Sequence, residues 1–473
     1  MATAAVLASR EGKGRHYIPS SVILDLFGQI GPSRNATTAT SKTSTGLPIA
    51  VTFCAARPPV LSHFSFSSAA CPEPEGLSLA PKVISADADL VLLRVPVQPF
   101  GESNPMFSDY FVYRAHSQIP KLDLLPKSAP YYFGDKEIAI LSCGDGKYAV
   151  AALQTLGMCT FKLHVYRSRP DGKPGSWTSK LLDIELNVKE LPRDNSSSIS
   201  LASQMLSYHR TTKVITLGGA KGTVGWVDLW RGILLCDVLE ISPTLRDVPL
   251  PSVSKSDWRL FLDCCPYYLR DIIVDQSKST IKYVKMNLHG GAWRATTWSM
   301  PIPVTSLNGW QFRCSALSTE IDIPADLKRH YKLLHKLMSG SANKEGSAAE
   351  EVLSLESLRM AYPTLSVTDG DDIVYLLAKG TGMRAMPTVF SVDLSMPTLR
   401  GVAKLPKRHL GFMRYFLASG ISKHIRTPGT SDSLGQTEVQ DTNTCGQEAK
   451  VTPLSKLRCK MRILVIEKVG LLD

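Results

Sequence analysis

An apolar strand, a short polar turn, an alternating strand, a second turn and a third strand recur along this chain. Residues 89–95, 108–115 and 121–125 make one such unit, and 147–153, 159–166 and 177–184 make the next. The pattern returns at 212–217, 223–229 and 233–238, at 269–274, 281–288 and 293–298, and at 372–378, 387–394 and 399–405. An imperfect earlier unit spans 49–54, 60–66 and 82–85. The five regular units begin at 89, 147, 212, 269 and 372, giving steps of 58, 65, 57 and 103. The last step is nearly double and contains an insertion. One such sheet cannot bury both of its faces, whereas sheets packed in a ring bury them and leave only short edges. The expected fold is therefore mainly β. It is a propeller-like array of repeated three- to four-stranded antiparallel units with one helical insertion. A pair of β-sandwiches is the alternative. Within the array, 225–239 is predicted to be a hairpin turning at Trp230, Arg231 and Gly232. Gly232 is expected to supply a permissive backbone angle, with Ile233, Leu234 and Leu235 interior.

Three regions are expected: an N-terminal segment 1–30, a repeat β domain 31–418, and a disordered or divergent tail 419–473. The insertion is 322–356. Its residues 325–338 place Leu327, Tyr331, Leu334 and Met338 on one face of an amphipathic helix, and 339–350 reads as a flexible loop. Residues 193–200 form a second, Ser-rich loop. From 428 to about 450 the chain is polar and poor in aromatics, as disordered segments are, and 461–467 reads as an added strand.

The 473 residues carry a net charge of +12, with 44% hydrophobic and 20% charged residues, which excludes a wholly disordered or collagen-like chain. No apolar run reaches the roughly 18–20 residues of a membrane helix, so no membrane partner is expected. The first residues lack the basic start of a secretory signal. Residues 32–70 are acid-free like a plastid transit peptide, yet 47–54 and 60–66 within them read as strands, which favours folded structure. Ten cysteines without a Cys-x-x-Cys pair point to reduced thiols and a cytoplasmic or nuclear location.

Several blocks resemble one family. They include Arg34-Asn-Ala-Thr-Thr-Ala-Thr, Leu47-Pro-Ile-Ala-Val-Thr-Phe-Cys and Ala88-Asp-Leu-Val-Leu-Leu-Arg-Val. Others are Asp109-Tyr-Phe-Val-Tyr-Arg-Ala, Trp293-Arg-Ala-Thr-Thr-Trp-Ser-Met and Asp371-Asp-Ile-Val-Tyr-Leu-Leu-Ala-Lys. The most specific is Gly225-Trp-Val-Asp-Leu-Trp-Arg-Gly-Ile-Leu-Leu-Cys-Asp-Val-Leu. Together they resemble the plant Domain of Unknown Function 1618 family over about residues 22–405. The resemblance implies a plant protein with no known activity, ligand or catalytic residue. It also implies similarity to F-box-associated propeller domains, although residues 18–27 are only faintly like an F-box.

No residue set has catalytic spacing. Gly218-Gly-Ala-Lys-Gly-Thr lacks the Gly-Lys-Ser/Thr order of a phosphate loop and reads as a hairpin turn. Asp369-Gly-Asp-Asp lacks the alternate spacing of a calcium loop and reads as a solvated turn. His330 and His335 are five apart, which does not place them on one helix face as zinc ligands. No catalytic residue, metal or cofactor is expected. The expectation is a non-catalytic protein-interaction module with an unidentified protein partner. Trp226, Trp230, Trp293 and Trp298 recur near turns, either as an aromatic recognition surface or as packing between units. Asp228 and Arg231 flank Trp230 and suit a turn-fixing salt bridge. The candidate contact surface joins Trp226, Trp230 and Arg231 to a basic patch of Lys404, Lys407, Arg408, Arg414 and Arg426. That patch lies in the acid-free stretch 400–430 beside Phe412, Tyr415 and Phe416, so nucleic-acid binding is the alternative function.

Overall fold

The computed structural model describes residues 19–68, 80–97, 108–115, 119–127, 133–169, 173–184, 208–251, 265–289, 292–325, 360–378, 387–405 and 416–425, with 327, 355 and 358 between them. Its strands form six sheets. The first contains β1 (Val22–Asp25), β2 (Gln29–Ile30), β3 (Ala39–Lys42), β4 (Pro48–Cys54) and β5 (Leu61–Ser68). The second is β6 (Lys82–Asp87), β7 (Leu90–Pro96), β8 (Ser108–Arg114) and β9 (Lys121–Leu125). The third is β10 (Ile138–Ser142), β11 (Tyr148–Thr155), β12 (Thr160–Arg167) and β13 (Ser176–Asp183). The fourth is β14 (Lys213–Gly218), β15 (Thr223–Asp228), β16 (Gly232–Asp237) and β17 (Leu245–Pro249). The fifth is β18 (Arg270–Val274), β19 (Thr280–His289), β20 (Ala292–Pro301) and β21 (Gln311–Leu317). The sixth is β22 (Met360–Leu365), β23 (Ile373–Ala378), β24 (Thr388–Asp393) and β25 (Thr398–Lys404). A last strand, β26 (Phe416–Ser419), returns to the first sheet.

The sheets stand in a ring as the blades of a six-bladed propeller, because each buries its faces against the next. Leu93 and Phe111 of the second sheet pack with Val51 and Phe64 of the first. Leu92 and Val112 pack with Ile140 and Val150 of the third. Phe161 and Leu163 meet Trp226 and Leu234 of the fourth. Ile233 and Val248 meet Ile272 and Tyr283 of the fifth. Val284 and Trp293 meet Leu376 and Phe390 of the sixth, and the same cluster runs on to Ile23 and Phe416. The strands β6, β10, β14, β18, β22 and β26 neighbour one another around the centre. With both faces covered, an inner strand such as β10, Ile-Ala-Ile-Leu-Ser, is apolar up to its final Ser142 rather than alternating.

Antiparallel pairing of β1 with β26, in register from Val22↔Ser419 to Asp25↔Phe416, closes the ring. β1 lies within the expected segment 1–30, and the expected junction at 418/419 falls inside β26. Just past β26, Ile421 is fully buried in the core between the first and second sheets.

Two readings are corrected. Residues 82–85 are not the last strand of the earliest unit; they begin β6, which bonds to β7 of the next sheet. The three-strand units are four-stranded, gaining β6, β10, β17, β21 and β22. The long step of 103 residues holds no further strand among the described residues between β21 and β22. Residues 325 and 327 are α-helical and Leu327 packs on the core, but most of the expected helix 325–338 lies outside the described residues. So do the loops 339–350 and 193–200, the polar segment 428–450 and the expected strand 461–467.

Candidate functional site

The predicted hairpin forms between β15 and β16, with Asp228 opposite Gly232. The Arg231 N–H donates to Asp228 O at 3.0 Å to close the turn. The Asp228 carboxylate accepts the N–H groups of Trp230 at 3.0 Å and Arg210 at 2.9 Å. Its burial raises its pKa, and these donors oppose the shift. The expected Asp228–Arg231 salt bridge is absent, because the Arg231 guanidinium forks onto Asp247 of β17 instead. Gly232 serves closeness rather than a left-handed angle. A Cβ there would sit 2.6 Å from Val248 O, the backbone of β17.

The tryptophans pack between blades. Trp226 is fully buried and its indole N–H donates to Glu137 O of the third sheet at 2.8 Å. Trp230 is 7% exposed and lies under the Arg270 guanidinium of the fifth sheet, 4.2 Å from the ring centre. Trp293 is buried in the core shared with the sixth sheet, and Trp298 lies on the core shared with the fourth, its ring centre 5.6 Å from that of Tyr283 in its own sheet. Trp226 and Trp230 are therefore interior groups that join sheets, Arg231 is held within the fourth sheet by Asp247, and none of the three presents a surface. Of the basic patch, Lys404 is exposed at the end of β25. Lys407, Arg408, Arg414 and Arg426 lie outside the described residues, as do His330 and His335.

The acidic turn at 369–372 is more than solvated. Gly370 takes the left-handed conformation at φ 72°. Asp369 accepts the Ser277 N–H at 2.8 Å, Asp371 pairs with Lys282 at 3.0 Å and Asp372 with Arg313 at 3.3 Å. All three acids thus fasten the sixth sheet to the fifth. Gly218–Gly222 is the expected hairpin turn, with Gly218, Gly219 and Gly222 at positive φ and the Gly222 N–H donating to Gly219 O at 3.0 Å. Among the described residues no three His, Cys, Asp or Glu side chains converge as metal ligands.

A cavity of about 650 Å³ runs through the centre of the ring and is lined from all six sheets and their flanking turns. Inside the ring, the Lys213 ammonium donates to Asp271 at 2.8 Å and to Ile272 O at 2.6 Å. Asp271 also accepts the Leu365 N–H at 3.1 Å, so one carboxylate ties the fourth, fifth and sixth sheets. At one mouth, Lys278 of the fifth sheet meets Asp87 of the second at 2.7 Å, reaching across the ring. The Ser142 N–H of the third sheet donates to the same carboxylate at 2.8 Å. Burial raises the Asp87 pKa, and Lys278 opposes this. At the opposite mouth, Arg94 and Lys82 share Asp135, the latter at 3.4 Å. Burial lowers the Lys82 pKa, while Asp135 supports its charge. The sequence reading missed this channel set. Its trace is a charge at the head of an otherwise apolar inner strand, as in Lys82-Val-Ile, Lys213-Val-Ile and Arg270-Asp-Ile-Ile-Val.

Residues 226–375 match the family model described as Protein of unknown function (DUF1618). No curated protein matches the chain. A similar solved structure is described as "Structural and Mechanistic Analysis of Two Prolyl Endopeptidases: Role of Inter-Domain Dynamics in Catalysis and Specificity". It is 13% identical with a TM-score of 0.30, and the likeness covers 79% of this chain but only 42% of that one. No helix among the described residues is long and apolar enough to cross a membrane.

Proposed function

We propose that this chain, which belongs to the DUF1618 family through residues 226–375, is a non-catalytic protein-interaction module. The reading includes a cytoplasmic or nuclear location, a plant origin and kinship with F-box-associated propeller domains. One observation carries it. At one end of the third blade, the β11–β12 turn exposes Leu156 (52%) and Met158 (47%), and the adjoining outer strand β13 exposes Leu181 (65%). Apolar side chains gathered on the rim of a rigid closed scaffold are a common basis of protein recognition. The test compares the native chain with a Leu156→Asp, Met158→Asp, Leu181→Asp variant in affinity capture with mass spectrometry. A recurrent protein captured by the native chain and lost by the variant, with circular dichroism unchanged, supports the reading. Capture that is unaffected by the variant overturns it. The nucleic-acid alternative predicts instead single-stranded oligonucleotide binding whose log affinity falls with log salt by roughly 0.7 per phosphate contact, and which weakens in Lys404→Ala.

A further inference from the structure

The central channel combines an apolar wall with an excess of cations at one mouth. Its volume of about 650 Å³ falls within the roughly 300–1,000 Å³ typical of small-molecule sites. Tyr267, Tyr268, Ile273 and Leu417 supply apolar lining. The mouth at the head of the inner strands is lined by Lys82 and Lys136 beside Asp135, whose carboxylate also pairs with the buried Arg94. The neighbouring acid Glu137 does not line the cavity, and its carboxylate accepts the Gly134 N–H at 3.0 Å. The Arg94 Nε is buried without an acceptor. Lys136 is exposed, stands 5.0 Å from the centre of the Tyr267 ring, and has no carboxylate partner among the described residues. The other mouth carries two acids, Asp87 and Asp275, against two lysines, Lys278 and Lys423, with Asp87 and Lys278 paired at 2.7 Å. The channel is therefore balanced in charge at one end, largely apolar along its wall apart from the paired Lys213, and short of anions at the other end.

We propose that the channel binds a small amphipathic organic anion, its acid group between Lys136 and Lys82 and its apolar body against Tyr267 and Tyr268. An acid group there gains two ammonium partners in a partly desolvated setting, where charge-assisted hydrogen bonds are strong. The aromatic walls add burial that a bare inorganic ion cannot use. The Lys136 ammonium, already over the Tyr267 ring, needs little reorganisation to meet the ligand.

The probe is 1-anilinonaphthalene-8-sulfonate, which has this chemistry and fluoresces on entering an apolar site. The native chain is expected to bind one probe per chain in a saturable titration. Lys136→Glu weakens that binding about tenfold or more, because it puts an acid where the sulfonate sits. Lys121→Glu makes the same charge change on the outer strand β9, where Lys121 is exposed, and is expected to change affinity less than about twofold. A second readout fixes the place. Cys265 lines the cavity and is exposed, whereas Cys143 is exposed and does not line it. A saturating probe slows iodoacetamide alkylation at Cys265, followed by peptide mass spectrometry, and leaves Cys143 unchanged. The proposal fails if the native chain shows no saturable site or many sites per chain. It fails equally if both variants lose the same affinity, or if Cys265 is not protected.

Discussion

Replacing Asp271 by Ala is expected to loosen three blades at once. The carboxylate is 0% exposed, receives the Lys213 ammonium at 2.8 Å and accepts the Leu365 N–H at 3.1 Å. Its removal takes that carboxylate away from a buried ammonium, in a position where Lys213 is itself only 9% exposed. Breaking one side of a buried pair costs about 3–5 kcal/mol. The orphaned Leu365 N–H accounts for about 1–3 kcal/mol of that. With a urea m value of about 3 kcal/mol/M, the unfolding midpoint falls by roughly 1–2 M. The paired replacement Lys213→Met with Asp271→Leu removes both charges and is expected to recover about 2 kcal/mol, because two buried ions no longer need solvation. Urea unfolding followed by tryptophan fluorescence reads both values. A loss under about 1 kcal/mol in Asp271→Ala, or a double variant no better than the single one, refutes the reasoning.

Two further outcomes follow from buried groups. Gly232→Ala pushes a methyl group to 2.6 Å from Val248 O and is expected to cost about 1–3 kcal/mol in the same unfolding assay, with the hairpin otherwise retained. His209 is 2% exposed with neither ring nitrogen hydrogen-bonded, and its burial, with Arg231 nearby, pushes its pKa down to about 3. Its folded pKa lies below the unfolded value of about 6.5, so the unfolded chain takes up the proton first and stability falls as pH drops. Between pH 7.5 and 5 the His209 contribution is a loss of about 2 kcal/mol. His209→Leu is expected to remove that share of the pH dependence in unfolding curves taken at both pH values.

Strands such as β20 were legible because their buried residues, Trp293, Ala295 and Thr297, alternate with more exposed ones. The inner strands were not, because burial on both faces erases the alternation. β10 reads as a plain apolar run. β22 is further disguised by Pro363 and by Tyr362 at φ 55°, where its register with β23 shifts. β21, with exposed Gln311, Phe312 and Arg313, reads as loop because it is an outer edge. The partner of Lys82 could not be read locally either, since blade boundaries depend on which neighbour the strand bonds. The hairpin at 223–237 was readable, but the role of Gly232 was not, because β17 approaches it from 16 residues downstream. The candidate tryptophan surface failed for a related reason. Exposure of an aromatic near a turn depends on the adjoining blade, and here Glu137 and Arg270 of neighbouring blades take up Trp226 and Trp230.

The two ends of the described chain close the ring. Ile23 on β1 lies opposite Ala418 on β26, 395 residues away in sequence. Opposed residues in an antiparallel pair have Cα atoms about 4.5–5.5 Å apart, which suits a disulfide. The measurement is oxidation of an Ile23→Cys, Ala418→Cys variant, followed by digestion and non-reducing peptide mass spectrometry. An intrachain 23–418 disulfide is expected as the main new cross-link, with the unfolding midpoint raised relative to the reduced variant. A folded variant in which these two cysteines stay unlinked, or pair with native cysteines elsewhere, contradicts a ring closed by β1 and β26.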